Sequence, residues 1–258
     1  MAREALSVLI VAHNEQTHLP ACLMSARLAD EIVVILDRTD DESAAIARAA
    51  GAKVIEGAWP VEADRRNLGI EHCAGPWVLE LDADERISDA LRGELEQILS
   101  APAADYYLVP FHNHIGNVWV RHGWGAYNGT AAKPALFRKG CKIWGAGEIH
   151  PKIAFQGHRG ALTGHIDHFV DQDTSALFAR LDRYAAAAAR DALATNQIPK
   201  IRTTTRRFFS RFLKSYWSRK GHLEGWRGVA LALFSGLYPV LTHIKILELR
   251  AQQEEKTP

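Results

Sequence analysis

The sequence predicts an α/β domain built on a mostly parallel sheet covered by helices on both faces. Three observations carry this. Over the first hundred residues, strand-length apolar runs alternate with stretches of helical spacing. The strand runs are apolar at consecutive rather than alternate positions, as strands buried on both faces require. Three of them end in polar clusters, at 13–15, 37–41 and 82–85, and in such sheets ligands bind beyond the carboxyl ends of the strands.

The elements follow in order. "LSVLIVA" (6–12) is the first strand, and "HNEQTHLPACLMSARLA" continues with helical spacing. "EIVVILD" (31–37) is the second strand. "DESAAIARAAG" is an alanine-rich helix ending at Gly51, a residue suited to the left-handed position after a helix. "AKVIEG" reads as a third strand and "ADRRNLGIEHCAG" as a helix ending at Gly75. "WVLELDADE" is a strand that runs into acids, followed by "SDALRGELEQILS", a helix for Ser88 or Asp89 to cap. Beyond about residue 106 the pattern loosens. "YYLVPFHNHIGNVWVRHGWGAYNG" reads as short strands and loops, and "AKPALFRKG" and "KIWGAGEIHPKIAFQG" as further strands with turns. Residues 173–196 form a helix that Pro199 closes.

The 258 residues suit one large domain, or one with an appendage. Cys22, Cys73 and Cys141 are scattered and odd in number, which argues against a disulfide framework or a structural zinc site and for a reducing cytosol. No signal peptide is expected. The longest apolar run, "VALALFSGLYPVL" (229–241), contains Pro239 and falls short of the ~20 residues of a membrane span. A core helix or a membrane-surface helix is expected there. Charge is distributed unevenly. Residues 199–228 carry nine Lys/Arg against Glu224 alone, a charge of +8, which leaves −7 on the rest of a chain whose total is +1. Such asymmetry points to an anionic partner.

The acids after the fourth strand are the chemical signal. In an extended chain, Asp82 and Asp84 project to the same side, and together they suit a hard divalent cation, Mg²⁺ or Mn²⁺, that keeps positions open for phosphate. The alternative is that they terminate the strand and cap the next helix. "HNH" at 112–114 and "HIDH" at 165–168 have metal-like spacing but no Cys partners, and ordinary hydrogen bonding is expected of them. Trp119, Trp124 and Tyr127 could stack on a sugar ring, with core packing as the default.

Three ordered segments resemble glycosyltransferase family 2, in the sub-group that includes lipopolysaccharide-core β-glucosyltransferases. They are "VLIVAHNEQTHLPACLMSA", "VVILDRTDDESAAIARAAGAKV" and "ADRRNLGIEHCAGPWVLELDADE". The likeness covers about the first ninety residues well and the remainder loosely. It implies a GT-A, Rossmann-like fold and inverting transfer of a sugar from a nucleotide-sugar, with a UDP-sugar favoured. By matching positions, it places Ala12, His13, Asn14 and Glu15 against the nucleotide, Asp37 on the base and Asp41 in support of that loop. Arg66 (or Arg65) and Asn67 would hold the nucleotide, Asp82 would face the ribose or metal, and Asp84 would bind the metal. His168 falls where such enzymes supply a late metal or phosphate ligand. Glu15 has a second reading, an acid favoured by a helix N-terminal dipole. Inversion needs a general base for the acceptor hydroxyl. Related sequences place a His-Glu after an "RLFR"-like strand, but here "ALFRKG" is followed by "GEIHPK", with Pro151 in the place of the Glu. Glu148 is the first choice of base and His150 the second; either could instead be a polar loop residue.

Domain organisation follows. Residues 1–198 are expected to form the GT-A domain, with the nucleotide-sugar half at about 1–105 and the acceptor half at about 106–198. Residues 199–258 form a basic amphipathic helical segment. In "RRFFSRFLKSYWSRKG", Phe208, Phe209, Phe212, Leu213, Tyr216 and Trp217 recur at helical spacing, the pattern of a helix lying in an anionic lipid interface; packing onto the domain is the alternative. The acceptor is then a lipid-linked or lipid A-anchored glycan. The location is cytoplasmic, peripheral on the inner face of the cytoplasmic membrane. Nucleic acid is disfavoured because no recognised module accompanies the charge. The stretch 221–249 is either a second surface helix or a homodimer contact. Two readings compete with catalysis by sugar transfer. One is a non-catalytic, membrane-peripheral nucleotide-binding or scaffold protein on the same fold. The other is a nucleotidyltransferase, which would want a Gly-rich phosphate loop that "AHNEQTHLP" lacks.

Overall fold

The computed structural model describes residues 3–123, 131–145 and 153–255. The chain divides into two compact units, Met1–Phe111 with Ala131–His168, and His112–Thr130 with Phe169–Pro258.

The first unit begins with β1 (Leu6–Ala12), α1 (Leu19–Ser25), β2 (Glu31–Asp37), α2 (Ser43–Ala49), β3 (Lys53–Gly57) and α3 (Glu62–His72). It continues with β4 (Trp77–Asp82), β5 (Glu85–Ile87) and α4 (Asp89–Ser100). β6 (Tyr106–Ile115) runs from the first unit into the second, which holds β7 (Val118–Trp119). The chain then returns through β8 (Ala131–Arg138), β9 (Lys142–Trp144), β10 (Ile153–Phe155) and β11 (Arg159–Ala161), and leaves again along β12 (Ile166–Asp171).

The strands of the first unit lie in the order β3-β2-β1-β4-β8-β6. Pairing is parallel from β3 to β4. β8 runs antiparallel to both of its neighbours. β5 pairs antiparallel with β12, which sets His168 opposite Glu85. The sheet is therefore parallel where the sequence alternates strand and helix, and antiparallel where the pattern loosens.

The consecutive apolar positions are explained by two cores. Leu6, Val8, Ile10 and Ala12 of β1 pack with Leu19 and Leu23 of α1 and Leu91, Leu95 and Leu99 of α4. The intervening Leu9 and Val11 pack with Ile70 at the α3 face. Side chains alternate faces along a strand, so only a strand covered on both sides is apolar throughout; each fully buried one contributes roughly 1.5–3 kcal/mol. Helix α3 lies very close to the sheet, because a Cβ on Gly69 would come within 2.5 Å of Leu9 Cδ1.

Local signals behave as expected at several ends. Ser88 caps α4, its hydroxyl accepting from Leu91 N at 3.2 Å. Gly51 follows α2 at φ +81°. The first helix is shorter than its spacing suggests. Residues 13–18 are bends and turns, and α1 starts only at Leu19, with Pro20 in its first turn, where a missing N–H costs nothing.

In the second unit, Asp173 caps α5 (Thr174–Ala194), accepting from Ala176 N at 2.8 Å. α6 (Ile201–Leu213) continues into a π-helical turn, Lys214–Ser218, and α7 runs from Gly225 to Glu255. Both α5 and α6 pack on α7. The core includes Ile115, Val120, Leu177, Ala230 and Leu231. Glu224 accepts from the backbone N–H groups of Arg121 and His122 and lies 2.6 Å from the His122 ring nitrogen. The Trp119 ring stacks on His112, with the Arg121 guanidinium 4.0 Å from it. The apolar run 229–241 is embedded in a far longer helix than it suggests. By length and composition, Gly221–Gln253 could cross a bilayer, and 33% of its most apolar stretch is buried within the protein.

Candidate active site

The carboxyl ends of β1, β2 and β4 bring the polar clusters together in the first unit. At the end of β1, Ala12 is buried, and His13 donates from Nδ1 to the carbonyl of Asp37 at 2.7 Å. Asn14, at φ +54°, exchanges two hydrogen bonds with Asp40, at 2.7 and 2.9 Å. Asp41 accepts from Gln16 N and Ser43 N, both at 2.9 Å. The loops after β1 and β2 are thereby stitched together. The β2 loop also passes through Arg38 at φ +50°, a conformation costing a non-glycine residue roughly 1–2 kcal/mol. Arg38 N offsets this by donating to Gly57 O at 2.7 Å.

Asp37 has no exposed side-chain surface. It accepts from Arg38 Nη2 at 2.7 Å, Trp59 N at 2.9 Å and Arg65 Nη1 at 2.5 Å. Burial pulls its pKa up, but Arg38, the Trp59 N–H and Arg65 outweigh that and hold it below the ordinary carboxylate value. Arg65 is thus tied to Asp37, and Arg66 to a different set of acids.

Arg66, almost fully buried, reaches Glu62 at 2.8 Å, Glu80 at 2.5 Å and Asp82 at 2.9 Å. Glu80 also accepts from Lys142 Nζ at 2.6 Å and from the Trp144 indole at 3.3 Å. Burial raises the Glu80 pKa, yet Lys142 and Arg66 bring it down to about 2. Lys142 Nζ lies 4.8 Å from the Phe137 ring and 4.7 Å from the Trp144 ring. Asn67 exchanges two hydrogen bonds with the backbone of Trp144, at 2.8 and 3.0 Å. Its amide therefore holds β9 against α3. Arg66, Glu80, Asp82, Lys133, Lys142 and Trp144 line a cleft of about 90 Å³.

The two aspartates after β4 do not share an extended segment. β4 ends at Asp82, residues 83–84 form a turn, and β5 resumes at Glu85. Glu85 closes the turn by accepting from Asp82 N at 3.0 Å. Asp82 consequently faces Arg66, with Lys133 Nζ 3.8 Å away. Asp84 instead meets His168, with Oδ2 and Nε2 3.3 Å apart. Arg66 and Lys133 more than offset burial and hold Asp82 far below the usual range. Glu85 is raised by burial against the pull of Lys133, whose Nζ contacts both its oxygens at 2.5–2.6 Å. For His168, burial is outweighed by Asp84, and its pKa is raised. Glu15 is pushed up to about 7 by burial and then by the charges of Asp84, Asp41 and Asp82.

Of the residues singled out in the sequence, His13, Asn14, Asp37 and Asp41 thus meet at one pair of loops, Arg66 meets Asp82, and Asp84 meets His168. Asn67 bonds Trp144 instead. Glu148 and His150 lie outside the described residues, as do Pro151, Trp124 and Tyr127. Glu80, Lys133 and Lys142 were not singled out. Glu80 carried a readable signal, an acid within the apolar run of β4 and, by strand parity, on the same face as Asp82. The lysines carried none, because only the pairing of β8 with β4 and the Asn67 contact that holds β9 to α3 bring them here.

An Asp carboxylate and a His imidazole this close could hold a divalent cation between them, the carboxylate being the donor that suits Mn²⁺ or Mg²⁺.

The family described as "Glycosyl transferase family 2" matches residues 7–155. An uncharacterised glycosyltransferase of Rickettsia conorii is 33% identical over 106 residues, 41% of this chain and 38% of the relative. The match therefore spans little more than a third of that relative's length. The lipopolysaccharide core biosynthesis glycosyltransferase LpsC of Rhizobium meliloti is 25% identical over 271 residues, covering 95% of this chain and 93% of LpsC. Among solved structures, S. aureus TarS 1–349 superposes with a TM-score of 0.50 at 14% identity, over 97% of this chain and 90% of that one. This likeness shows a shared fold.

Proposed function

Since the chain belongs to glycosyl transferase family 2, we propose that it transfers a sugar, with inversion, from a nucleotide-sugar to a lipid-linked or lipopolysaccharide-type glycan acceptor. The observation that carries this reading is the meeting of Asp84 with His168 at the strand-end rim, 3.3 Å apart. The near full-length likeness to LpsC supports an envelope-glycan acceptor.

In this reading Ala12, His13, Asn14 and Glu15 border the nucleotide, with Asp37 on its base and Asp41 bracing that loop. UDP is the favoured carrier. Arg66 acts through Asp82, holding it ionised and oriented, and Asn67 acts through Trp144. Asp84 and His168 would hold Mg²⁺ or Mn²⁺, which when bound supplies positive charge to the departing diphosphate. The acceptor hydroxyl loses its proton to Glu148, or failing that to His150. The nucleotide-sugar half corresponds to about 1–105 and the acceptor half to about 106–198.

Calorimetric titration of UDP and other nucleoside diphosphates, with and without Mn²⁺ or Mg²⁺, tests this in wild type and Asp84→Ala. The expected result is metal-dependent binding that Asp84→Ala weakens by at least tenfold. Equal binding without metal would remove the ion from the mechanism. No binding of any nucleotide would favour the scaffold reading, for which the proline at 151 is the supporting observation.

A further inference from the structure

The geometry points to a docking surface for an anionic bilayer on the second unit, formed by the outward stripe of α6 and the turn that joins it to α7. The aromatic arc of α6 is not one face but two. Phe208 is turned to α7, where a Cβ on Gly236 would stand 3.2 Å from its ring. Phe208, Phe212 and Tyr216 stack successively, at 6.5 and 5.9 Å, and are half-buried. Phe209, Leu213 and Trp217 form the other face. They are spaced by four residues and are 59%, 50% and 59% exposed. Such spacing places them in one row on a helix.

That row carries its own charge. Arg202 and Arg206 are exposed and precede Phe209 by seven and three residues, so they continue the same stripe toward the helix N-terminus. At the other end, Leu223 and Trp226 are 62% and 54% exposed. The one acid of the segment, Glu224, is engaged by the backbone of residues 121–122 and the His122 ring. No carboxylate of residues 199–228 is left to oppose the arginines.

Arginine with exposed Trp, Phe and Leu on one stripe matches an interface that is apolar below and anionic above. A phosphate backbone would use the arginines and leave the apolar row without a counterpart. The inference deepens the reading of a lipid-borne acceptor, yet it is tested separately. None of these residues lies in the first unit, so nucleotide binding and vesicle binding can fail independently.

The experiment is co-sedimentation of the full chain with phosphatidylcholine vesicles, with and without phosphatidylglycerol, across a salt series. The wild type should bind the anionic vesicles and be released as salt rises. Arg202→Gln with Arg206→Gln should weaken binding roughly thirtyfold, which is ~2 kcal/mol for two basic residues near an anionic surface. Phe209→Ser, Leu213→Ser and Trp217→Ser combined should weaken it at least as much while calorimetric nucleotide binding is unchanged. The salt series on wild type needs no variant, so a variant that fails to fold does not block the test. Equal binding to neutral vesicles, binding unaffected by both sets of substitutions, or a surface that instead drives self-association or nucleic-acid binding would each overturn the proposal.

Discussion

Asp37 illustrates how a single carboxylate holds two loops in place. It has no exposed side-chain surface, and two arginines and a backbone N–H surround it. Its pKa is depressed below the unfolded value of ~3.9. The stability it contributes is therefore fully present above about pH 4 and is lost as pH falls through the lower folded value. Asp37→Asn should cost on the order of 2 kcal/mol at neutral pH, the worth of hydrogen bonds to a charged group. Urea titrations over a pH series should show the gap from wild type narrowing on acidification. A gap independent of pH would mean that the charge of Asp37 is not what matters.

Among the elements, β4, α3 and β9 meet on one buried acid. Glu80 of β4 bonds Arg66 of α3 and Lys142 of β9, while Asn67 ties α3 to Trp144. The pair Glu80–Lys142 is almost entirely shielded from water. Breaking a buried pair by removing one partner is strongly destabilising because the other charge stays behind. Glu80→Ala should lose roughly 3–5 kcal/mol, read as a lower denaturant midpoint. Lys142→Met together with Glu80→Met should recover part of that loss. If the double variant were no better than the single one, an orphaned charge would not be the cause.

At the scale of the whole molecule, acids gather in the first unit and bases in the section after residue 199. The unit that carries the rim should be the one that responds to nucleotide. With UDP and Mn²⁺ at about one hundred times their Kd, binding to the native state alone contributes ~2.7 kcal/mol. That corresponds to a rise in Tm of roughly 5–10 °C for a chain of this size. Thermal melts of wild type with both ligands should show the rise, and Asp84→Ala should not.

The sequence by itself determined the order of strands and helices over the first hundred residues apart from β5, a cap for α4 at Ser88 or Asp89, the family and the imbalance of charge. These are readable because periodicity, capping and motif order depend on neighbours a few residues apart. Tertiary structure alone decided which charges meet. Asp84 finds His168 only because β12 pairs with β5. Lys133 and Lys142 reach the acids of β4 only because β8 joins that strand and β9 is held to α3 by Asn67. The turn at 83–84 sends Asp82 and Asp84 to different partners, although their spacing suggested a shared side. Likewise α7 divided the aromatic arc of α6 into a packed face and an exposed one. Contacts of this kind depend on register and on which helix lies opposite, and neither is written in local pattern.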